Sequence, residues 1–455
     1  MPTFPLITHP HADSVIAWRD GQSITSARFL SDVAHLRTRL PQGRHMLNAC
    51  ADRYRFMVGL AAALSSNKVS LLPSTQTPEM IRQMVRFAPD VFCLTDARDC
   101  EIDLPQIGFP DSDAAGRACS DGLPYVVPQI DAAQLVAYVF TSGSTGTPVP
   151  HAKTWGALVR NVQAEARLWD MNDERSHAVI GTVPSQHMYG FESTVLIVMQ
   201  SANAMVAGNS FYPADICNAV AQAPRPRTLV STPVHLRSVL GAALDIPSVD
   251  LVVSATAPLS IALAEDVEAA FGAPLLEIYG STETGQIAVR RSTRTDQWSL
   301  FPDVRFHQEG GVTWASGGHV EKAMPMNDVI EMVSDDRFRL HGRTADLVNI
   351  AGKRNSLAYL NLQLTAIPGV ADGAFFMPDE TEADGVTRLT AFVVSPGVEP
   401  ASIIRALRER IDPVFLPRPL HFVDALPRNA TGKLPREALK ALLQERAKQD
   451  TESAA

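Results

Sequence analysis

The amino-acid sequence predicts an α/β fold built on mostly parallel β-sheets, with a smaller α+β unit behind it, and three observations carry that reading. Before about residue 310, segments of helical and strand periodicity alternate, the pattern of parallel sheets whose ligand sites lie at the carboxyl ends of the strands. Beyond that point short alternating runs such as DVIEMV and RFRLHGR indicate antiparallel strands joined by turns. And 455 residues are too many for one ordinary hydrophobic core.

The elements follow in order. TSARFLSDVAHLRTRL, residues 25–40, sets Phe29, Val33, Leu36 and Leu40 on one helical face behind a Thr25 or Ser26 cap. FMVGLAAALSSNKVSLLPS (56–74) reads as a buried helix, a turn at Ser66-Asn67 and a strand Val69 to Leu72 ended by Pro73. LVAYVFTSGSTG (135–146) is a strand running into a glycine loop, RTLVSTPVHLRSVLGAAL a strand and then a helix, and VDLVVSATAPLSIALAEDVEAAF and PLLEIYGSTETG are further units of the same alternation. In the smaller unit LVNIAG is a strand, SLAYLNLQLTAI a helix, GAFFMPD and TRLTAFVVS strands and IIRALRERI a helix, before a last strand-loop-helix segment. The polar tail QERAKQDTESAA is expected to fray.

Composition excludes several classes. A net charge of -9 argues against sequence-independent binding of nucleic acid, which needs a basic footprint. Cys50, Cys93, Cys100, Cys119 and Cys217 are odd in number and show no Cys-x-x-Cys spacing, which fits reduced thiols better than a disulfide framework or a zinc site. The N-terminus MPTFPLITHPHAD lacks a basic segment followed by an apolar one, and no window is apolar enough to span a bilayer. The expectation is a soluble, cytoplasmic protein without membrane insertion.

TSGSTGTPVPHAK (141–153) is the first segment that suggests chemistry. Glycines and small hydroxylated residues after a strand let successive backbone N–H groups converge on an anion, although the same composition also makes surface turns. It is neither a G-x-x-x-x-G-K-S/T phosphate loop nor a G-x-S-x-G nucleophile elbow. Val149 stands where a loop lysine would be expected, and Lys153 either reaches back toward a phosphate or points to solvent.

With IYGSTETG (278–285), HGRTADLVNIAGKR (341–354) and LPRNATGKLPREAL (426–439) following in that order, the chain resembles the adenylate-forming superfamily of acyl-CoA synthetases, luciferases and adenylation domains. The resemblance implies a large domain of stacked, mostly parallel sheets flanked by helices over residues 1–343, and a small mobile α+β domain over 344–455. It implies ATP and Mg2+ as cofactors and a carboxylic acid as substrate. By resemblance, Thr141, Ser142, Gly143, Ser144, Thr145 and Gly146 form the phosphate loop. Thr256, Ala257 and Pro258 lie against adenine, and Tyr279 and Gly280 flank its other face. Thr282 bonds the α-phosphate, Glu283 holds magnesium, and Asp328 and Arg343 grip the ribose. A helix N-terminus offers Glu283 a simpler role. Lys433, in NATGKL, corresponds to the lysine brought against the nascent acyl phosphate. Ala345, beside Asp346, occupies the family's hinge position, where an aspartate or lysine is usual.

VPSQHMYGFEST (183–194) corresponds to the stretch that lines the acid pocket, with His187, Met188 and Tyr189 as its substrate-binding and gating residues. Met188 replaces the aspartate of amino-acid-activating domains and the amide of synthetases for 2-hydroxylated benzoates. Losing those partners disfavours a zwitterion and an ortho hydroxyl, and favours a benzoate hydroxylated at position 3 or 4, or a short apolar acid. The chain ends soon after Lys433, so the acyl acceptor is expected to be a free thiol, of coenzyme A or of an acyl carrier protein. The brevity resembles stand-alone hydroxybenzoate–carrier protein ligases of aryl polyene and xanthomonadin-type pigment pathways. Arg405, Arg408, Arg410 and Arg418 form either a docking face for an acidic carrier or a solvated helix face. A nucleotide sensor without turnover is the rival from another class.

Overall fold

The computed structural model describes residues 2–73, 75–110, 125–141, 149–172, 175–208, 210–343, 347–350, 353–378, 388–429 and 432–453, except for the side chains of residues 343, 347, 349, 354 and 447–453. Local signals are realised where expected. Thr25 caps the helix Ser26–Arg37 by accepting the Arg28 N–H, and Phe29, Val33 and Leu36 are buried along its inner face. Asp52 does the same for the helix Arg53–Ser65, whose apolar residues are buried nearly all round. The strand after it is Val69–Leu72.

Two large sheets carry the first part of the chain. A six-stranded sheet runs in the order Val149–Thr154, Leu135–Thr141, Val69–Leu72, His45–Asn48, Phe92–Thr95, Gln106–Gly108. All its pairs are parallel except the first, a hairpin. In the eleven-stranded sheet six consecutive strands, from Leu275–Ser281 through Leu251–Ser254, Arg227–Ser231, Ala178–Gly181 and Ala204–Val206 to Val15–Arg19, pair in parallel. Antiparallel strands extend it at both edges. A core containing Phe29, Phe56, Trp155, Phe191 and Ile287 joins elements of both sheets. Burial of this kind contributes roughly 25 cal/mol per Å2 of apolar surface, which is what holds such layers together.

The DVIEMV and RFRLHGR runs form the hairpin Asp328–Ser334 and Arg337–Arg343, which completes the edge of the large sheet. Beyond it the strands Leu347–Ile350 and Lys353–Ser356 pair antiparallel. Ser356 caps the helix Leu357–Thr365, which packs on a three-stranded sheet of Asp372–Phe376, Thr390–Val394 and Leu420–Phe422. A separate core of Leu360, Leu364, Phe375, Ile403 and Leu407 makes this smaller α+β unit. The last helix, Arg436–Ser453, buries Leu439 beside Phe376 and Phe392 in its first turns and runs on into the polar tail, whose side chains from residue 447 lie outside the described residues. Cys50, Cys93, Cys100 and Cys217 are free thiols, and Cys119 lies outside the described residues. No helix among the described residues is long and apolar enough to cross a membrane.

Candidate active site

Of the predicted residues, Thr256 to Pro258 and Tyr279 to Glu283 lie at the carboxyl ends of two neighbouring parallel strands. Strand Leu251–Ser254 runs into Thr256, Ala257 and Pro258 before Ser260 caps the next helix. Thr256 holds φ +82°, a conformation a β-branched residue adopts only under constraint, and such strain clusters at functional sites. The neighbouring strand Leu275–Ser281 delivers Tyr279 and Gly280, with a register irregularity between them. A Cβ at Gly280 would run into the Gly285 carbonyl and the Gln286 backbone, so only glycine fits.

Thr282 and Glu283 sit in the tight turn between Leu275–Ser281 and Gly285–Arg290, closed by the Ser281 and Thr284 hydroxyls at 3.1 Å. This is a hairpin turn, so the helix-N-terminus reading of Glu283 does not apply. The Tyr279 hydroxyl donates to Asp328 Oδ2 at 2.7 Å, tying the expected purine and ribose contacts together. Asp328 opposes Arg343 in the hairpin register, which brings both expected ribose residues to one place. The Arg343 side chain lies outside the described residues, as do Ala345 and Asp346.

Of the phosphate loop, Thr141 is described; Ser142, Gly143, Ser144, Thr145 and Gly146 lie outside the described residues. Val149 opens the returning strand and is exposed. Of the two alternatives for Lys153, the one that points it to solvent is set aside, and residues 142–148 of the loop lie outside the described residues. The Lys153 side chain is buried, and Nζ donates to the Glu283 carbonyl oxygen at 3.2 Å. Burial lowers its pKa, opposed by the charges of Glu192 and Glu283.

Residues that sequence reasoning missed surround this lysine. His151 Nε2 lies 2.9 Å from Thr141 Oγ1 and 3.5 Å from Glu283 Oε1, linking the start of the loop to the carboxylate. Alternation of His151 and Lys153 along one strand face was the available signal. Beneath them Glu192 accepts from Asn161 Nδ2 at 2.6 Å, and burial pushes its carboxyl up to about 7. Ser193 donates to Glu165 and accepts from Gln286, at 2.6 and 2.7 Å, and burial holds Glu165 well above the usual carboxylate range. These are polar residues inside otherwise apolar segments.

The acid-pocket stretch is built on an unusual helix. A turn at Met188–Gly190 passes into the π-helical Phe191–Leu196, a form that concentrates at functional sites. Met188 and Tyr189 are buried, and the Tyr189 hydroxyl donates to the Val253 carbonyl at 3.2 Å. Arg53 staples this segment from the neighbouring helix. Its guanidinium donates to Ser185 and Thr194 hydroxyls and to the carbonyls of Gly181 and Val183, at 2.7 to 3.2 Å. Burial, with the charge of Lys433 as a second cause, lowers the pKa of His187 to about 4, so its imidazole is neutral near pH 7. Lys433, from the small unit, is thus among the charges that act on this segment. Gly432 seats the same loop on the helix Pro233–Gly241, against Val234 and Thr232.

Strand ends, a strained loop and a lysine-bearing loop seated from a second unit offer groups suited to a phosphorylated ligand and an acid. Comparison with known proteins agrees. The family model described as "AMP-binding enzyme" matches residues 32–335, and that of the "AMP-binding enzyme C-terminal domain" matches 363–433. A 4-coumarate–CoA ligase of Rhodobacter capsulatus is 32% identical over 64% of this chain and 73% of its own length. A 3-hydroxybenzoate–CoA/4-hydroxybenzoate–CoA ligase of Thauera aromatica is 25% identical, covering 68% and 66%. Among solved structures, o-succinylbenzoate CoA synthetase from Bacillus subtilis, in complex with its acyl-adenylate intermediate, superposes with a TM-score of 0.80. It is 17% identical over 97% of this chain and 99% of that one, a likeness of fold.

Proposed function

Because the chain belongs to the AMP-binding enzyme family, and is thereby an adenylate-forming acid–thiol ligase, we propose that its acid is 3- or 4-hydroxybenzoate and its acceptor a phosphopantetheine thiol. The observations that most support the reading are the Tyr279–Asp328 hydrogen bond at the strand ends and the seating of the Lys433 loop, through Gly432, against Thr232 and Val234 of the large unit. Buried Met188, a thioether where a donor would serve an ortho hydroxyl, supports the choice among benzoates. So do the relatives that act on 4-coumarate and on hydroxybenzoates.

In this reading the substrate carboxylate attacks the α-phosphorus of ATP, the bond to pyrophosphate breaks, and an acyl-adenylate forms. The thiol sulfur then attacks the carbonyl carbon, AMP leaves, and the thiol proton passes to solvent. Tyr279, Asp328 and Arg343 hold the nucleoside, Thr282 the α-phosphate, and Thr141 to Gly146 the remaining phosphates. Lys433 meets charge that grows on the phosphoryl oxygens only in the transition state, where a cation is most effective. Glu283, whose carboxylate is 36% exposed, offers the single hard oxygen ligand that suits Mg2+ shared with phosphates and waters. The metal would neutralise phosphate charge that Val149 leaves without a lysine. In this reading the large domain spans residues 1–343 and the small mobile domain residues 344–455.

Coenzyme A is the acceptor named for the relatives above. A carrier protein is favoured by Arg405, Arg408, Arg410 and Arg418, all exposed on the small unit and able to meet an acidic partner. Acid-dependent pyrophosphate release over benzoates and short fatty acids tests the first step. The 3- or 4-hydroxy acid should exceed 2-hydroxybenzoate by about tenfold in kcat/KM, as one lost buried hydrogen bond implies. Preference for the 2-hydroxy acid would refute the substrate reading. Charge reversal at Arg408 and Arg418 should weaken turnover with holo carrier protein and leave coenzyme A turnover unchanged; equal use of both acceptors would refute the carrier.

A further inference from the structure

The loop that presents Lys433 is held by a clamp within the small unit. Arg428 places Nε and Nη2 on the two carboxylate oxygens of Asp372, both at 2.7 Å, and Nη1 on the Gly432 carbonyl oxygen at 2.9 Å. Asp372 opens the strand Asp372–Phe376, so the fork anchors the loop to the sheet. Asn429 closes the loop from the inside. Its side-chain oxygen accepts the Lys433 N–H at 2.9 Å, and its own N–H donates to the Lys433 carbonyl at 2.9 Å. Both Arg428 and Asp372 side chains are only 20% exposed. A planar guanidinium can satisfy a carboxylate with one edge and a carbonyl with its remaining N–H, a geometry an ammonium cannot reproduce.

Resting on the reading of Lys433 as the adenylating lysine, we infer that Arg428, with Asp372, is the positioning residue that fixes the backbone of the Lys433 loop for adenylation. The clamp belongs entirely to the small unit, so it holds the loop's shape wherever that unit stands. Its benefit is realised where Lys433 acts. Burial lowers the pKa of Arg237, on the helix Pro233–Gly241 of the large unit, with the charge of Asp372 opposing that shift and Arg428 adding to it. Displacing Arg428 would release the loop from Asp372. A displacement of about 1 Å in a group aligned with a reacting centre can cost up to a hundredfold in rate.

The test separates the two half-reactions in the full-length enzyme: acid-dependent pyrophosphate release for adenylation, and thioester formation from supplied acyl-adenylate for transfer. Arg428→Ala should slow adenylation by about tenfold or more with transfer within about twofold of the parent. Arg428→Lys should restore little of the loss, and Asp372→Asn should reproduce most of it. Combining Arg428→Ala with Asp372→Asn should add little further, since both break one unit. Thermal midpoints of the Lys and Asn variants guard against simple misfolding. Equal losses in both half-reactions, full rescue by lysine, or unchanged adenylation in Arg428→Ala would overturn the inference. Unchanged adenylation in Lys433→Ala would instead remove the lysine reading, and the clamp with it; loss in Lys433→Ala with none in Arg428→Ala removes the clamp alone.

Discussion

Replacing Gly432 with alanine perturbs the docked loop at one atom. Gly432 holds φ +75°, and an added Cβ would lie 3.0 Å from Val234 Cγ2 on the large unit. Two costs follow, and they act on different states. Holding an L-residue in the left-handed region costs about 1 kcal/mol wherever the loop keeps its shape, so it cancels between domain orientations. The Val234 contact exists only when the loop is seated, and relieving it by a few tenths of an ångström costs about 1 kcal/mol more. Only this second cost should reach the rate. Adenylation should fall by about fivefold, since 1.36 kcal/mol is tenfold. Thioester formation from supplied acyl-adenylate should hold within about twofold. Single-turnover pyrophosphate release and acyl transfer, measured on the same preparation, give both values. A compensating Val234→Ala should recover most of the loss by opening the space that Cβ needs. Unchanged adenylation, equal loss in both half-reactions, or no recovery in the double variant would refute the idea that the observed seating is the adenylating one.

Lys433→Ala should lower adenylation kcat by roughly a hundredfold, the scale of a lost preorganised charge contact, while still transferring from supplied adenylate. Unimpaired pyrophosphate release would exclude the lysine. Lys153→Met should raise the magnesium concentration for half-maximal rate by about tenfold, because its Nζ holds the Glu283 backbone and touches no described part of the loop; an altered ATP KM at saturating magnesium would instead indicate phosphate contact. Arg53→Met should cost about 3 to 5 kcal/mol in urea unfolding, since four buried acceptors lose their donor. A loss under about 1 kcal/mol would contradict the staple. His9 is buried with its pKa pushed down to about 4, so between 6.5 and 4 the unfolded chain binds a proton that the folded one excludes. Stability is thus lost as pH falls through that window, and His9→Gln should lose about 3 kcal/mol less than the parent over it. Parallel profiles for the two proteins would disprove the assignment.

Much of this architecture was legible along the chain because its causes are local. A hydroxyl or carboxylate at Thr25 or Asp52 accepts an N–H three residues on, and Phe29, Val33 and Leu36 recur at helical spacing. Such signals need no knowledge of the rest of the molecule. The motif order likewise singled out Tyr279, Glu283, Asp328 and Lys433 as candidates. It did not say how they meet. The last helix is tied down where Leu439 finds Phe376 and Phe392, partners that its own periodicity cannot show.

What the sequence by itself determined is the alternation of helices and strands, the family, and the residue types offered to the cleft. Only the tertiary structure decided their partners. Lys153 finds the carbonyl of Glu283, 130 residues away, because two sheets pack with the returning strand against the Leu275–Ser281 hairpin turn. Arg53 reaches Thr194 across 141 positions by the same layering. The Lys433 loop reaches the large unit because Gly432 lets it seat against Val234 and Thr232. Periodicity and capping depend on near neighbours, whereas register, layer packing and domain seating depend on the free energy of the whole chain, and those are the levels at which a list of residues becomes a site.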